Sequence, residues 1–398
     1  MRPEFDVVIA GGGVIGSSCA YHLKCTLKFS GSVLVVEPDS SYRTAASTRS
    51  ASSIRLQFST PVNIALSEYG FAFLRDAQAL RQECGGVEHG LRVDLGLVRS
   101  TYLYLATANG RASLEARAAI QRAHSVPVSL HDPNELAKRY PWLHTADLAG
   151  GCDTAAGEGW FDGQALLASL RSAAQAGGAI YARDHAVGFE RMPDGRIAAV
   201  QLAERGAVSC GFAVNAAGTR SSALAAAAGV DLPVRARKRN VFVFTCDTPL
   251  PACPLVIDPS GLWFRRDKDR FLCGPPTTPD PDVAPDDFDV DLHLFDESAW
   301  PTLAHRVPAF EAIRMTSAWA GHYDYNTFDQ NAFIGPVPGI GNLLLASGFS
   351  GHGLQQAPGV GRGLAELIRF GCFQSIDLTP LSYARYLSNQ PLRELNII

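Results

Sequence analysis

The strongest constraint on this chain is carried by its first forty residues. Phe5-Asp-Val-Val-Ile-Ala10 is a short β-branched run of the kind that forms a buried strand. Gly11-Gly-Gly-Val-Ile-Gly16 follows at once and sets glycines at 11, 13 and 16 in G-x-G-x-x-G spacing. A helical stretch over residues 14–27 comes next, with Cys19, Leu23 and Leu27 repeating along one face. Ser32-Val-Leu-Val-Val36 is a second strand, and Glu37 stands at its C-terminal end.

That order is a βαβ unit with a defined physical task. Gly11 permits the tight turn, Gly13 lets the backbone approach a pyrophosphate, and Gly16 allows helix and strand to pack closely. The helix N-terminus, with Val14 and Ile15 in its first turn, offers unpaired N–H groups and a partial positive charge to the phosphates. Glu37 accepts hydrogen bonds from an adenosine ribose and repels a 2′-phosphate, which counts against NADP. The fingerprint by itself suits NAD and FAD equally.

Composition fills in the background. The chain has 398 residues with 46% hydrophobic and 19% charged, which is a globular composition of a size for two domains. A net charge of −4 excludes the basic face that a nucleic-acid partner requires. No apolar run approaches the roughly 18–20 residues of a membrane span. The N-terminus enters its first strand without room for a signal or transit peptide, so the expected location is cytoplasmic. Nine cysteines, without a CxxC pair or zinc spacing, read as buried free thiols, and no metal site is expected.

Two later segments repeat the strand-to-glycine-to-helix junction. Phe212-Ala-Val-Asn-Ala-Ala-Gly218 runs into an Ala-rich helix over residues 221–228, and Asn342-Leu-Leu-Leu-Ala-Ser-Gly-Phe-Ser-Gly-His-Gly353 breaks into glycines before another helix. Residues 44–53 are small and polar, suited to lie along an extended ligand. Three such junctions on one cleft favour a long cofactor over NAD. The intervening segments read differently: residues 97–106 and 240–245 are strands, 261–265 is another, and 110–124 is a helix. The Pro- and Asp-rich loop 275–287 reads as exposed and mobile. The expected fold is α/β: a Rossmann-type cofactor domain (1–90, 146–228 and 319–398) into which a mostly antiparallel substrate domain (91–145 and 229–318) is inserted.

Gly11 to Gly16 with Glu37, Gly159-Trp-Phe-Asp162, Val214-Asn-Ala-Ala-Gly218 and Gly348-Phe-Ser-Gly-His-Gly353 together resemble the D-amino-acid oxidase family of flavoproteins, which includes sarcosine oxidase, glycine oxidase and dimethylglycine dehydrogenase. The resemblance spans nearly the whole chain. It implies a glutathione-reductase-like FAD domain and oxidation of the Cα–N bond of an amino acid or secondary amine to an imine. By the same resemblance Gly11, Gly13, Val14, Ile15, Gly16 and Glu37 hold the ADP half of FAD. Ser47, Thr48 and Arg49 line the pyrophosphate or flavin, Val187 meets the adenine, and Ala217 and Gly218 close the second junction. Gly351, His352, Gly353, Leu354 and Gln355 set a helix N-terminus against the pyrimidine end of the flavin, where a positive helix end stabilises the anionic reduced ring.

An amino-acid substrate needs a guanidinium clamp for its carboxylate. Arg55 is the first candidate, followed by Arg265, which alternation separates from Arg266. Tyr323, with Asp324 and Tyr325, either contacts the substrate or packs. Asp258 and Asp329 have no partner arguable from sequence. Three departures from the sarcosine oxidase pattern stand out. Gln355 replaces the lysine that holds the carboxylate, Leu272 replaces the lysine that activates oxygen, and Gly321-His322 replaces the cysteine that bonds the flavin. They imply non-covalent FAD and tilt the expectation from an oxidase toward a dehydrogenase, the acceptor being O2, a quinone or an electron-transfer protein. The alternative from another class is a non-catalytic flavoprotein acting as an assembly factor of respiratory complex I type.

Overall fold

The computed structural model describes residues 4–76 and 94–395. Its first layer is a parallel sheet in the order Ile340–Ser347, Gly206–Asn215, Glu4–Ala10, Val33–Val36 and Ile180–Ala182. Val7 lies opposite Phe212 on one side and Val33 on the other. Runs such as Val7-Val8-Ile9 and Val33 to Val36 are buried on both faces, as a central parallel strand must be. The strands Ala186–Arg191, Ile197–Leu202 and Phe333–Val337 extend this sheet antiparallel. The helices Val14–Tyr21, Gly163–Ala176 and Gly353–Phe370 cover one face.

The second sheet is mostly antiparallel, in the order Arg314–Asn326, Val234–Thr245, Arg270–Gly274, Trp263–Asp267, Leu255–Ile257, Tyr102–Ala106, Gly150–Thr154 and Val128–His131. Period-two alternation sorts its side chains into two faces. Phe242, Phe244, Phe264, Phe271, Val256 and Leu103 point into a private core with Phe310 and Leu303. Their neighbours Val241, Trp263, Leu255, Ile257 and Tyr102 point the other way, toward the cofactor layer. A small sheet of Ser53–Ile54, Glu158–Trp160 and Val98–Ser100 bridges the layers.

Several expectations need correction. The run 97–106 is two strands in different sheets, broken at Thr101, because Val98–Ser100 pairs with Glu158–Trp160 and Tyr102–Ala106 with Gly150–Thr154 and Leu255–Ile257. The helix expected over 14–27 is regular only to Tyr21 and continues as a π-turn over His22–Thr26. The segments Gly150–Thr154 and Arg314–Asn326 are strands of the second sheet, so the borders placed at 146 and 319 divide the chain differently from the observed pairing. Cys25 is disulfide-bonded, contrary to the free-thiol reading, whereas Cys19, Cys152, Cys253 and Cys273 are free and buried. Cys84 lies outside the described residues. The loop 275–287 is not loose: Asp280 pairs with Arg239 at 2.7 Å and Arg237 at 3.0 Å, and Asp287 pairs with Lys238 at 2.8 Å.

Candidate active site

A cavity of about 1010 Å³ lies between the two sheets and runs from Glu37 and Val187 at one end to Arg55 and Trp263 at the other. At the Glu37 end the three glycines are distinct in what they do. Gly11 has φ +104° and a Cβ there would sit 2.2 Å from the Ala216 carbonyl oxygen, so the turn is pressed against the second junction. A Cβ on Gly16 would come within 1.9 Å of the Gly11 carbonyl oxygen. A Cβ on Gly13 would meet only the Ser47 hydroxyl at 4.0 Å, which leaves that side open to the cavity. The Gly12 amide donates to Glu37 Oε2 at 2.9 Å and the Asp39 amide to Oε1 at 3.0 Å, while burial pushes the Glu37 carboxyl above its usual range.

These residues fit the pyrophosphate of a dinucleotide on observations of the chain itself. The Val14–Tyr21 helix begins without a capping side chain or an acid in its first turn. The Ser47 hydroxyl beside it is buried and has no hydrogen-bond partner among the described residues. A bound phosphate answers both deficits at once.

The opposite end is built on the turn before the Gly353–Phe370 helix. Gly348, Ser350 and Gly351 have φ of +82°, +50° and +92°, and Gly351 abuts the Tyr323 ring, where a Cβ would be 2.5 Å from the nearest ring carbon. Asp324, half-buried beneath the turn, accepts from the Gly348 amide at 2.7 Å and the Phe349 amide at 3.2 Å. Burial pushes its carboxyl up to about 6. The helix itself starts at His352 with no side-chain cap and no acid in the first turn, so its amides face the cavity unopposed.

Arg55 is buried at this end. Its Nη1 donates to the Tyr104 hydroxyl at 2.9 Å, its Nη2 meets His352 Nε2 at 3.0 Å, and its guanidinium lies 4.4 Å from the Phe58 ring centre. Burial and the Arg55 charge hold the His352 imidazole well below its ordinary pKa, so it is neutral and accepts from Arg55. The segment that carries Arg55 is fixed from below. Gln355 Oε1 takes the Arg55 amide at 2.8 Å, and Glu158, fully buried, takes the amides of Leu56 and Tyr102, each at 2.8 Å.

Of the residues singled out from sequence, the cavity brings together Gly11, Gly13, Val14, Ile15, Glu37, Ser47, Arg49, Arg55, Val187, Ala217, Gly218, Tyr323 and 351–355. It does not include Arg265, Thr48 or Gly16. Arg265 is buried but its guanidinium bonds the Ala51 carbonyl at 2.8 Å and Asp267 at 2.9 Å and lies 5.0 Å from the Trp160 ring centre, so it braces the loop along the cavity. The Thr48 hydroxyl is turned onto the Ala45 carbonyl at 2.9 Å. Gln355 is a tether for the Arg55 backbone. Asp258 and Asp329 are ion-pair partners of Arg306 and Arg385, at 2.6 Å and 2.7 Å. His322 Nε2 is engaged by the Asp287 carbonyl at 2.6 Å, and the ring stacks on Phe288. Sequence reasoning missed Tyr102, Leu255 and Ile257, which line the cavity. The apolar runs 102–106 and 255–257 carried the signal, but only strand pairing shows which face each side chain serves. Away from the cavity, His144, Asp147 and His305 lie together, with both oxygens of Asp147 taken by Arg306 at 2.8 and 2.9 Å.

Comparison with known proteins gives this geometry its context. A model of the family described as "DAO: FAD dependent oxidoreductase" matches residues 6–367. FAD-dependent oxidoreductase domain-containing protein 1 of Bos taurus is 40% identical over 98% of this chain and 86% of its own length. Mitochondrial dimethylglycine dehydrogenase of Homo sapiens is 25% identical over 98% of this chain, which spans 45% of that protein. Among solved structures, the L-proline dehydrogenase of P. horikoshii superposes with a TM-score of 0.83 at 21% identity, covering 98% of this chain and 100% of the other. Glycine oxidase of Geobacillus kaustophilus gives 0.79 at 24% identity over 96% and 98%. Among the described residues no helix is long and apolar enough to cross a membrane.

Proposed function

Since the chain belongs to the DAO family of FAD-dependent oxidoreductases, we propose that it oxidises the Cα–N bond of an amino acid or N-alkyl amino acid to an imine, with FAD held non-covalently. The observation that carries this reading is Arg55: a guanidinium buried on the cavity wall, oriented by Tyr104 and the neutral His352, one helix start away from the glycine turn. A scaffold without turnover has no use for a cation prepared at that cost.

Bound FAD supplies the acceptor for the hydride equivalent lost from Cα. The protein's tasks are orientation and exclusion of water. Arg55 takes the substrate carboxylate in a bidentate contact, a geometry that Lys does not reproduce. The apolar wall of Leu255, Ile257 and Trp263 disfavours a charged ammonium and so favours the neutral amine that can be oxidised. The amides at the start of the Gly353–Phe370 helix would present positive potential to a flavin bound in the cavity. Tyr323 packs on Gly351 and keeps that start in place. His322 is committed to Asp287, which supports a non-covalent cofactor. Leu272 sits in an apolar cluster with Val241, Val243 and Trp319, at the position where the resemblance to sarcosine oxidase sets the lysine that activates oxygen. The enzyme therefore works as a dehydrogenase, passing electrons to a quinone or electron-transfer protein rather than to O2.

The test is anaerobic mixing of the purified yellow protein with a panel of amino acids and N-alkyl amino acids. Bleaching of the flavin band by a member of the panel, followed by slow recolouring in air and fast recolouring with a quinone, is expected. A protein that no member bleaches moves the reading to a non-catalytic assembly role, and prompt recolouring in air refutes the dehydrogenase assignment.

A further inference from the structure

We infer that the substrate of this site is an α-amino or N-alkyl-α-amino acid with an uncharged, apolar side chain of at least valine size; the inference rests on the amine-oxidation reading above. The argument starts from strand register. Leu255 pairs with Tyr102 and Ile257 with Tyr104, whose hydroxyl receives Arg55 Nη1. Ile257 in turn pairs with Trp263. Alternation therefore sets Leu255, Ile257, Trp263 and Tyr102 on one contiguous patch of sheet directly beside the carboxylate clamp. All four line the cavity.

The patch is deliberately shaped. Gly274 lies across from Trp263, and a Cβ there would meet the indole Nε1 at 2.4 Å, so only glycine lets the ring lie flat on the sheet. The indole thus forms a broad apolar floor where a side chain projecting from a clamped Cα must land. For glycine or sarcosine that floor has nothing to cover.

Charge decides the rest. Among the described residues two carboxylates line the cavity away from Glu37 and Asp39, and both are engaged. Asp280 holds Arg239 and Arg237, and Asp324 holds the Gly348 and Phe349 amides. A lysine- or arginine-like side chain finds no carboxylate ready to receive it. An acidic side chain would be desolvated against Leu255 and Ile257, with Arg55 committed to the α-carboxylate, Arg239 to Asp280 and Arg49 to the Ala320 carbonyl.

The experiment uses the holoenzyme and follows anaerobic flavin reduction by stopped flow. The probes are glycine, sarcosine, both enantiomers of leucine, valine, glutamate and lysine, and their N-methyl forms. Burial of a branched side chain is expected to give leucine or valine an efficiency at least about 10-fold above glycine, and on the order of 10²-fold above glutamate and lysine. Ile257→Asp should cut the leucine advantage about 10-fold and raise lysine relative to leucine; Ile257→Ala, a milder change, should lower valine more than leucine. Reduction by glycine, glutamate or lysine as efficient as by leucine overturns the side-chain assignment while leaving amine oxidation standing. Reduction by none of the probes overturns both.

Discussion

Replacing Gly13 by alanine separates phosphate binding from folding. In the protein alone the new methyl meets only the Ser47 hydroxyl at 4.0 Å, and Gly13 has φ −61°, a value any residue adopts. The folded apoprotein should therefore lose no more than about 1 kcal/mol, the cost of alanine at a helix N-cap. The pyrophosphate, by contrast, must approach the backbone through the space the methyl fills. Pushing it away forfeits charge-assisted bonds from the Val14 and Ile15 amides, each contributing about 1.5–3 kcal/mol. Losing two weakens FAD binding by about 10²- to 10⁴-fold. The assay is flavin-fluorescence titration of the apoprotein, with a thermal melt of the same sample. Gly16→Ala is the control with the opposite signature, because its methyl would sit 1.9 Å from the Gly11 carbonyl oxygen and must disturb the fold. Wild-type FAD affinity in Gly13→Ala would refute the placement of the phosphates, as would a melt as low as that of Gly16→Ala.

Three further outcomes follow from the same geometry. Asp324, raised by burial from 3.8 to about 6, binds its proton more tightly folded than unfolded, so the stability that the neutral acid contributes is complete below pH 3.8 and lost as pH rises through 6. Asp324→Asn keeps an acceptor for the Gly348 amide and should flatten the pH dependence of apoprotein melting between about pH 4 and 6.5, by at most about 3 kcal/mol, with an unchanged profile as the contrary result. Asp280→Ala frees Arg239 and leaves Arg237 only its pair with Asp282 at 3.3 Å, and should loosen the loop 275–287, seen as faster proteolysis within it and several-fold faster FAD release. Leu272→Lys introduces a cation into the apolar cluster and should speed reoxidation of the reduced enzyme by O2 at least about 10-fold in stopped-flow traces.

Much of the architecture was written locally. The strand–glycine–helix–strand order of residues 5–37 and the junctions at 215–218 and 348–353 depend on near neighbours, and they appear where periodicity puts them. Arg55 was singled out for another reason: it stands just past the small polar loop 44–53, where the family resemblance sets a carboxylate-binding arginine. What the sequence hid is non-local. Arg265 and Arg55 look alike on paper, and only the distances to Ala51, Asp267 and Trp160 show that the former is consumed by the frame. The mobility expected of 275–287 followed from its Pro and Asp content, whereas its anchoring comes from basic residues at 237–239, some forty positions away. Leu255 and Ile257 gained a role only once parallel pairing set them beside Tyr102 and Tyr104.

The central claim is that Arg55 clamps the carboxylate of an amino acid at the flavin. It is tested most directly by comparing anaerobic flavin reduction by the best amino acid of the panel with reduction by its carboxamide, in the wild-type enzyme and in Arg55→Met. With charge-assisted bonds contributing about 1.5–3 kcal/mol each, the wild type should favour the acid by about 10²-fold or more, and Arg55→Met, still yellow and folded, should hardly discriminate. Equal discrimination by the two proteins would contradict the account and place the carboxylate elsewhere.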